Sequence, residues 1–162
     1  MTTVKKVTSV APVATGTKSW GPAVWSLFHT LAEKIHEDQY ARVAPILFGF
    51  IRRICSLLPC PDCQQHAKTY LSSVSYNLTT KRGMQEFLFI FHNDVTRRKR
   101  GVVADDGILD SYKSNNLGTV YNAFVYAFHA KGIPQMFGDS MHRKRLLVDL
   151  KTWLVQNAHA FM

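Results

Sequence analysis

Phe48-Gly49-Phe50-Ile51-Arg52-Arg53-Ile54-Cys55-Ser56-Leu57-Leu58-Pro59-Cys60-Pro61-Asp62-Cys63-Gln64-Gln65-His66-Ala67-Lys68-Thr69-Tyr70-Leu71 decides the fold. It is an apolar helical stretch, a Pro-flanked Cys-x-x-Cys pair and a second helical stretch. The pair therefore sits where a helix begins. Free backbone N–H groups and the positive end of the helix dipole stabilise a thiolate there. A lowered thiol pKa raises the thiolate fraction and makes the sulfur a better leaving group. A thioredoxin-like home needs a βαβ context, and no stretch of the chain alternates with period two. The expectation is an all-α redox protein with Cys60 and Cys63 as its catalytic residues.

The other segments are helical too. The first spans about Gly21 to His36, with Trp25, Phe28, Leu31, Ala32 and Ile35 near helical spacing. Ser19 or Gly21 suits its cap and Pro22 its first turn. The second spans Tyr40 to Leu58, where Pro45 must lie in the first turn or kink the helix. The third runs from Pro61 to about Ser72. The fourth runs from Met84 to Lys99 and ends in the cations Arg97-Arg98-Lys99-Arg100, which suit a helix C-terminus. Gly101 to Asn116 reads as a loop with a helical turn near Ile108 to Tyr112. Further helices are expected over Leu117 to Ala130, ended by Gly132 and Pro134, and over Ser140 to His159. Short connections favour antiparallel packing.

With 162 residues, 46% of them hydrophobic and 12% aromatic, the chain can bury a core. No apolar run reaches membrane-spanning length, so no membrane partner is expected. Residues 1–18 lack a continuous apolar stretch and read as a flexible tail rather than a signal peptide. The net charge of +9 favours anionic partners or simply solubility. The basic clusters are short and no nucleic-acid motif accompanies them, so nucleic acid is not the expected partner. Three cysteines are too few for a disulfide-rich secreted scaffold, and the odd number leaves Cys55 over.

Two more constellations accompany the cysteines. In Trp20-Gly21-Pro22-Ala23-Val24-Trp25-Ser26-Leu27-Phe28-His29, Trp25 and His29 share a helix face, and Gly21 permits close approach of a flat ligand. In Phe91-His92-Asn93-Asp94-Val95-Thr96, His92 and Thr96 share a face, and Asn93 and Thr96 are one turn apart. These side chains offer the donors and acceptors that a nucleotide's ring edges and ribose require, and the cations beyond could meet a diphosphate. Taken singly, each also reads as a capped helix, a satisfied core histidine or a solvated charge run. Cys55, Cys60, Cys63 and His66 are a possible zinc quartet, although their spacing matches no common zinc module. A zinc-stabilised basic module that binds nucleic acid is thus the alternative function.

Together the three constellations resemble the Erv/ALR family of FAD-dependent sulfhydryl oxidases. The Trp-Gly-x-x-x-Trp-x-x-x-His element is met by Trp20, Gly21, Trp25 and His29. The Pro-Cys-x-x-Cys element is met by Pro59, Cys60 and Cys63, with His66 following. The His-Asn-x-Val-Asn element is met by His92, Asn93 and Val95, with Thr96 in place of the final Asn. The resemblance covers Trp20 to about Arg100. It implies four helices cradling FAD, a short fifth helix across them, and additional C-terminal helices beyond the core. It places Trp20, Gly21, Trp25, His29, His66, His92, Asn93, Val95, Thr96 and Lys99 at the cofactor, with Tyr112 on the adenine side and no metal.

The organisation expected is a tail over 1–18, an FAD-binding core over 19–116 and a helical extension over 117–162 that packs on the core or forms an interface. The function implied is thiol oxidation that forms disulfides in protein dithiols and reduces oxygen to hydrogen peroxide. Cys63 would be the flavin-proximal sulfur and Cys60 the one that exchanges with substrate. Many members carry a second, shuttle disulfide; with Cys55 as the one other cysteine this chain has none, so a thioredoxin-like relay protein is expected as partner. The short layout resembles the forms encoded by large DNA viruses, which implies work in the host cytoplasm or the virion, with an organelle lumen also open. A homodimer is expected from the family and from the aromatic surplus of Leu117 to Phe128 and Leu146 to Leu154.

Overall fold

A computed structural model describes residues 20–129 and 137–162. The tail over 1–18, the cap residue Ser19 and the helix end at Ala130, Gly132 and Pro134 lie outside the described residues. Among those described the fold is all-α: α1 (Trp20–Lys34), α2 (Tyr40–Ser56), α3 (Pro61–Ser73), α4 (Lys81–Arg98), the single turn α5 (Ile108–Ser111), α6 (Leu117–His129) and α7 (Phe137–Gln156). Short 3₁₀ turns occupy Glu37–Gln39, Tyr112–Ser114 and Ala158–Ala160.

Each helix follows from a buried stripe. In α1, Val24, Leu27, Phe28 and Leu31 are buried at i, i+3, i+4 and i+7. In α2, Val43, Leu47, Phe50, Ile51 and Ile54 are buried. Burying one such side chain stabilises the fold by about 1.5–3 kcal/mol. Pro45 lies inside α2, past its first turn, so the Ala41 carbonyl forgoes its usual donor. Helix α4 starts three residues earlier than its apolar pattern suggests. Thr80 caps it, its Oγ1 accepting from Gly83 N–H at 3.0 Å.

Helix α1 packs against α4 and α6, α2 against α3 and α7, and α6 against α7. The C-terminal helices are thus part of one core. Phe124, Phe128, Leu146 and Leu150 have no exposed surface, and Trp153 packs on Phe50 at 5.3 Å between ring centroids. Asp149 accepts from Arg53 at 3.0 Å, and His36 N–H donates to Ala160 O at 2.9 Å. Much of the aromatic surplus behind the homodimer expectation packs within the chain, whereas Tyr126 of α6 is 84% exposed and Val148 of α7 is 59% exposed.

Candidate active site

The Cys-x-x-Cys pair lies at the N-terminus of α3. Cys60 is the N-cap in extended conformation, Pro61 is the first helical residue, and Cys60 Sγ accepts from Cys63 N–H at 3.3 Å. Proline suits this position because its missing N–H would be unpaired there in any case. The two sulfurs lie near disulfide distance, with the Cα atoms 5.2 Å apart. Both cysteines are half-buried, whereas Pro61 and Asp62 between them are exposed.

A cleft of about 490 Å³, counted to its open mouth, lies among α1, the end of α2, α3 and α4. Trp20, Gly21, Trp25, Cys63, His66, Val95 and Lys99 line it, all of them residues that the sequence motifs single out. Cys63 is on the cleft wall and Cys60 is not among its lining. Val24, Phe28, Cys55, Leu58, Ala67, Phe91 and Arg98 complete the lining. The motifs do not name these, although Val24, Phe28, Ala67 and Phe91 lie one helical turn from residues that they do.

His29, His92 and Tyr112 are not part of that lining but continue its aromatic wall. His92 stacks on Trp25, 4.3 Å between centroids and 7° between planes. Tyr112 stacks on His29 at 4.6 Å and 14°. His29 Nε2 and His92 Nδ1 are 3.0 Å apart, one ring donating to the other, which requires at least one of them to be neutral. Burial, with the neighbouring His92 adding to it, pulls His29 down to about 3. Burial alone pulls His92 down to about 4. Both rings are therefore neutral at pH 7.

Asn93 and Thr96 point elsewhere. Asn93 is 7% exposed, and both ends of its amide are taken by Ala104: Nδ2 donates to Ala104 O at 2.9 Å and Oδ1 accepts from Ala104 N–H at 3.1 Å. It pins the loop after α4 as a strand neighbour would. Thr96 Oγ1 donates to His92 O at 3.0 Å, one turn back on its own helix.

His66 donates to Asp94 Oδ2 at 3.1 Å, which ties α3 to α4. Asp94 stands in the variable position of the His-Asn-x-Val element, so no motif marks it. Lys99 Nζ sits 5.7 Å from the centre of the Trp20 ring. Arg98 and Lys99 thus place positive charge on one part of the cleft. Cys55 is buried and its thiol is pushed up to about 12, mainly by burial, which leaves it protonated and unreactive at neutral pH.

The cleft fits a flat, anionic cofactor. Its walls are aromatic, two cations stand in it, and among the described residues two buried side-chain polar atoms lack a partner: Trp20 Nε1 and His29 Nδ1. Trp20 belongs to the cleft lining. An unsatisfied buried donor costs about 1–3 kcal/mol, so a ligand acceptor that reaches Trp20 Nε1 would recover it. The zinc quartet does not assemble: among the described residues no three His, Cys, Asp or Glu side chains come together as a metal site.

The family model described as Erv1 / Alr family matches residues 22–107, just over half of the chain. The chain belongs to the Erv1/Alr family. Its relatives include "Putative FAD-linked sulfhydryl oxidase 096R" of Invertebrate iridescent virus 3, 34% identical over 50% of this chain and 56% of that protein. They also include the "FAD-linked sulfhydryl oxidase" of African swine fever virus (isolate Tick/Malawi/Lil 20-1/1983), 26% identical over 62% of this chain and 86% of that protein. The chain thus spans little more than half the length of the first of these and most of the second. No solved structure matches. The Erv1/Alr match ends before α5, so α6 and α7 stand outside it. None of the chain's described helices is long and apolar enough to cross a membrane.

Proposed function

We propose that this Erv1/Alr protein is an FAD-linked thiol oxidase that forms disulfides in protein dithiols, with Cys60 and Cys63 as its catalytic pair. The observation that carries this reading is the placement of Cys63 on the wall of an aromatic, cation-bearing cleft while Cys60 stands outside the lining. FAD-linked relatives from viruses support it.

The chemistry follows from the two positions. A substrate thiolate attacks Cys60 Sγ, the Cys60–Cys63 bond breaks, and Cys63 leaves as a thiolate. The helix N-terminus stabilises that charge. The substrate's second thiol then attacks the mixed disulfide, the substrate leaves oxidised, and Cys60 and Cys63 are left reduced. FAD held in the cleft would supply the two-electron acceptor for the reduced pair, with oxygen as the final acceptor and hydrogen peroxide as the product. Trp20, Gly21, Trp25, His66, Val95 and Lys99 would hold it, with Arg98 beside Lys99 for the diphosphate. His29, His92 and Tyr112 extend the aromatic wall, and neutral histidines keep it free of added positive charge at pH 7. Asn93 and Thr96 serve by fixing the end of α4 and the loop behind it. The half-buried pair favours small or extended dithiols, so a relay protein of the thioredoxin kind is the proposed partner, in a cytoplasm or virion setting.

The test is an absorbance spectrum of the purified full-length chain followed by oxygen uptake with dithiothreitol. A flavin spectrum and dithiol-dependent oxygen consumption are expected. A colourless protein that consumes no oxygen even after incubation with FAD would refute the reading.

A further inference from the structure

The segment that carries Cys60 is gripped from outside the family-matched region. Arg143 of α7 is only 2% exposed, and its Nη1 donates to Leu57 O at 3.2 Å. Gln64, the residue after Cys63, donates from one Nε2 to Leu58 O at 2.7 Å and to Asp139 Oδ2 of α7 at 2.9 Å. Leu58 O also accepts from Cys60 N–H at 2.8 Å. Helix α7 thus reaches both flanks of the Cys-x-x-Cys turn, Leu57–Leu58 before it and Gln64 after it. A buried guanidinium is costly unless it is paired and hydrogen-bonded, and the Leu57 carbonyl is the partner that it finds. Burial lowers the Arg143 pKa and the nearby Asp139 opposes that. Its guanidinium also lies 6.0 Å from the centre of the Phe128 ring of α6.

We propose that Arg143 and Asp139 are positioning residues for the Cys60–Cys63 pair: α7 holds the two cysteines in register and so sets how readily their disulfide is reduced. This rests on the redox reading of the pair given above. The reaction at issue is balanced by the reductant itself. A dithiol is oxidised to its disulfide, Cys60–Cys63 takes up two electrons and two protons, and the S–S bond becomes two thiols. Holding Leu57–Leu58 and Gln64 fixed keeps the reduced thiols close and favours reclosure. Releasing that hold lowers their effective concentration and makes the disulfide easier to reduce.

The experiment equilibrates the full chain, as purified and without oxygen, against dithiothreitol buffers of graded ratio, and counts Cys60 and Cys63 thiols by alkylation and mass. Arg143→Met should shift the equilibrium toward the reduced pair by about tenfold, about 30 mV for a two-electron couple. Arg143→Lys should recover part of the shift, and Asp139→Asn should move it in the same direction by less. Asp149→Asn is the control, since Asp149 docks α7 on Arg53 without touching the turn. It should weaken the fold and leave the equilibrium unchanged. If Arg143→Met matches wild type, or if Asp149→Asn shifts the equilibrium as much, the positioning role is wrong. A wild-type pair that never exchanges with dithiothreitol would instead refute the redox reading itself.

Discussion

Residues 20–107 and residues 117–162 use the same building material to different ends. In the first region, polar and aromatic side chains face inward: Trp20 and Trp25 line a cleft, His92 stacks on Trp25 with His29 beside it, and two buried polar atoms lack partners. In the second, Phe124, Phe128, Leu146, Leu150 and Trp153 fill the core, and the buried Arg143 is satisfied by a carbonyl. The first region leaves Trp20 Nε1 unmet in the cleft, where a ligand can meet it, and the second region's buried groups go to close packing. The cleft and the cysteines thus belong to the first region, although both regions share one core and α7 reaches the flanks of the Cys-x-x-Cys turn.

That separation predicts opposite phenotypes. Cys63→Ser should reduce dithiol-dependent oxygen uptake to background while leaving helical circular dichroism and the melting temperature near wild type. Phe124→Ala, fully buried in α6, should cost about 3–5 kcal/mol in a denaturant titration, with a single transition that takes the N-terminal helices with it. Two separate transitions would show that the C-terminal helices fold apart from the core.

Asn93→Ala sharpens the boundary inside the first region. It removes two hydrogen bonds to Ala104 and should cost about 1–3 kcal/mol, with hydrogen exchange rising over Gly101–Gly107. Unchanged exchange there would return Asn93 to direct ligand contact.

Acid acts on the first region too. His29 and His92 bind protons less readily folded than unfolded, with folded values near 3 and 4 against an ordinary 6.5. The unfolded chain therefore takes up more protons below about pH 6.5, and these residues' contribution to stability is full above that and lost as pH falls toward 3–4. For each proton so excluded the slope is about 1.4 kcal/mol per pH unit. His92→Gln should flatten the loss of stability measured by urea titration between pH 6.5 and 4. The smallest effect is expected from Cys55→Ala, which removes a protonated thiol and should leave most turnover intact; a large loss with normal folding would assign Cys55 a redox role.

Much of this was legible in the sequence because the cues were local. The helix start at Pro61, the Trp20–His29 face and the cations after Val95 each depend on residues within a few turns. Thr80 as cap of α4 was less legible, because Gly83 stands where a capping box carries Glu or Gln and the apolar stripe starts only at Met84. What sequence could not show depends on long-range packing. Asn93 meets Ala104, Asp94 meets His66, and Arg143 meets Leu57 only once the helices are folded. In a basic chain, Arg143-Lys144-Arg145 reads as a solvated charge run, and nothing local marks its first member for burial. The aromatic surplus of α6 and α7 was visible, but whether it met the chain's own core or another copy depended on the placement of those helices.

The central claim is that Cys63, not Cys60, faces the bound flavin. Its most direct test is the visible spectrum of Cys60→Ser and Cys63→Ser as purified, each a single-thiol variant. Cys60→Ser leaves a Cys63 thiolate against the flavin and should show a broad long-wavelength absorbance that disappears on acidification, and Cys63→Ser should show none. The band in Cys63→Ser instead, or in both variants alike, would contradict the assignment.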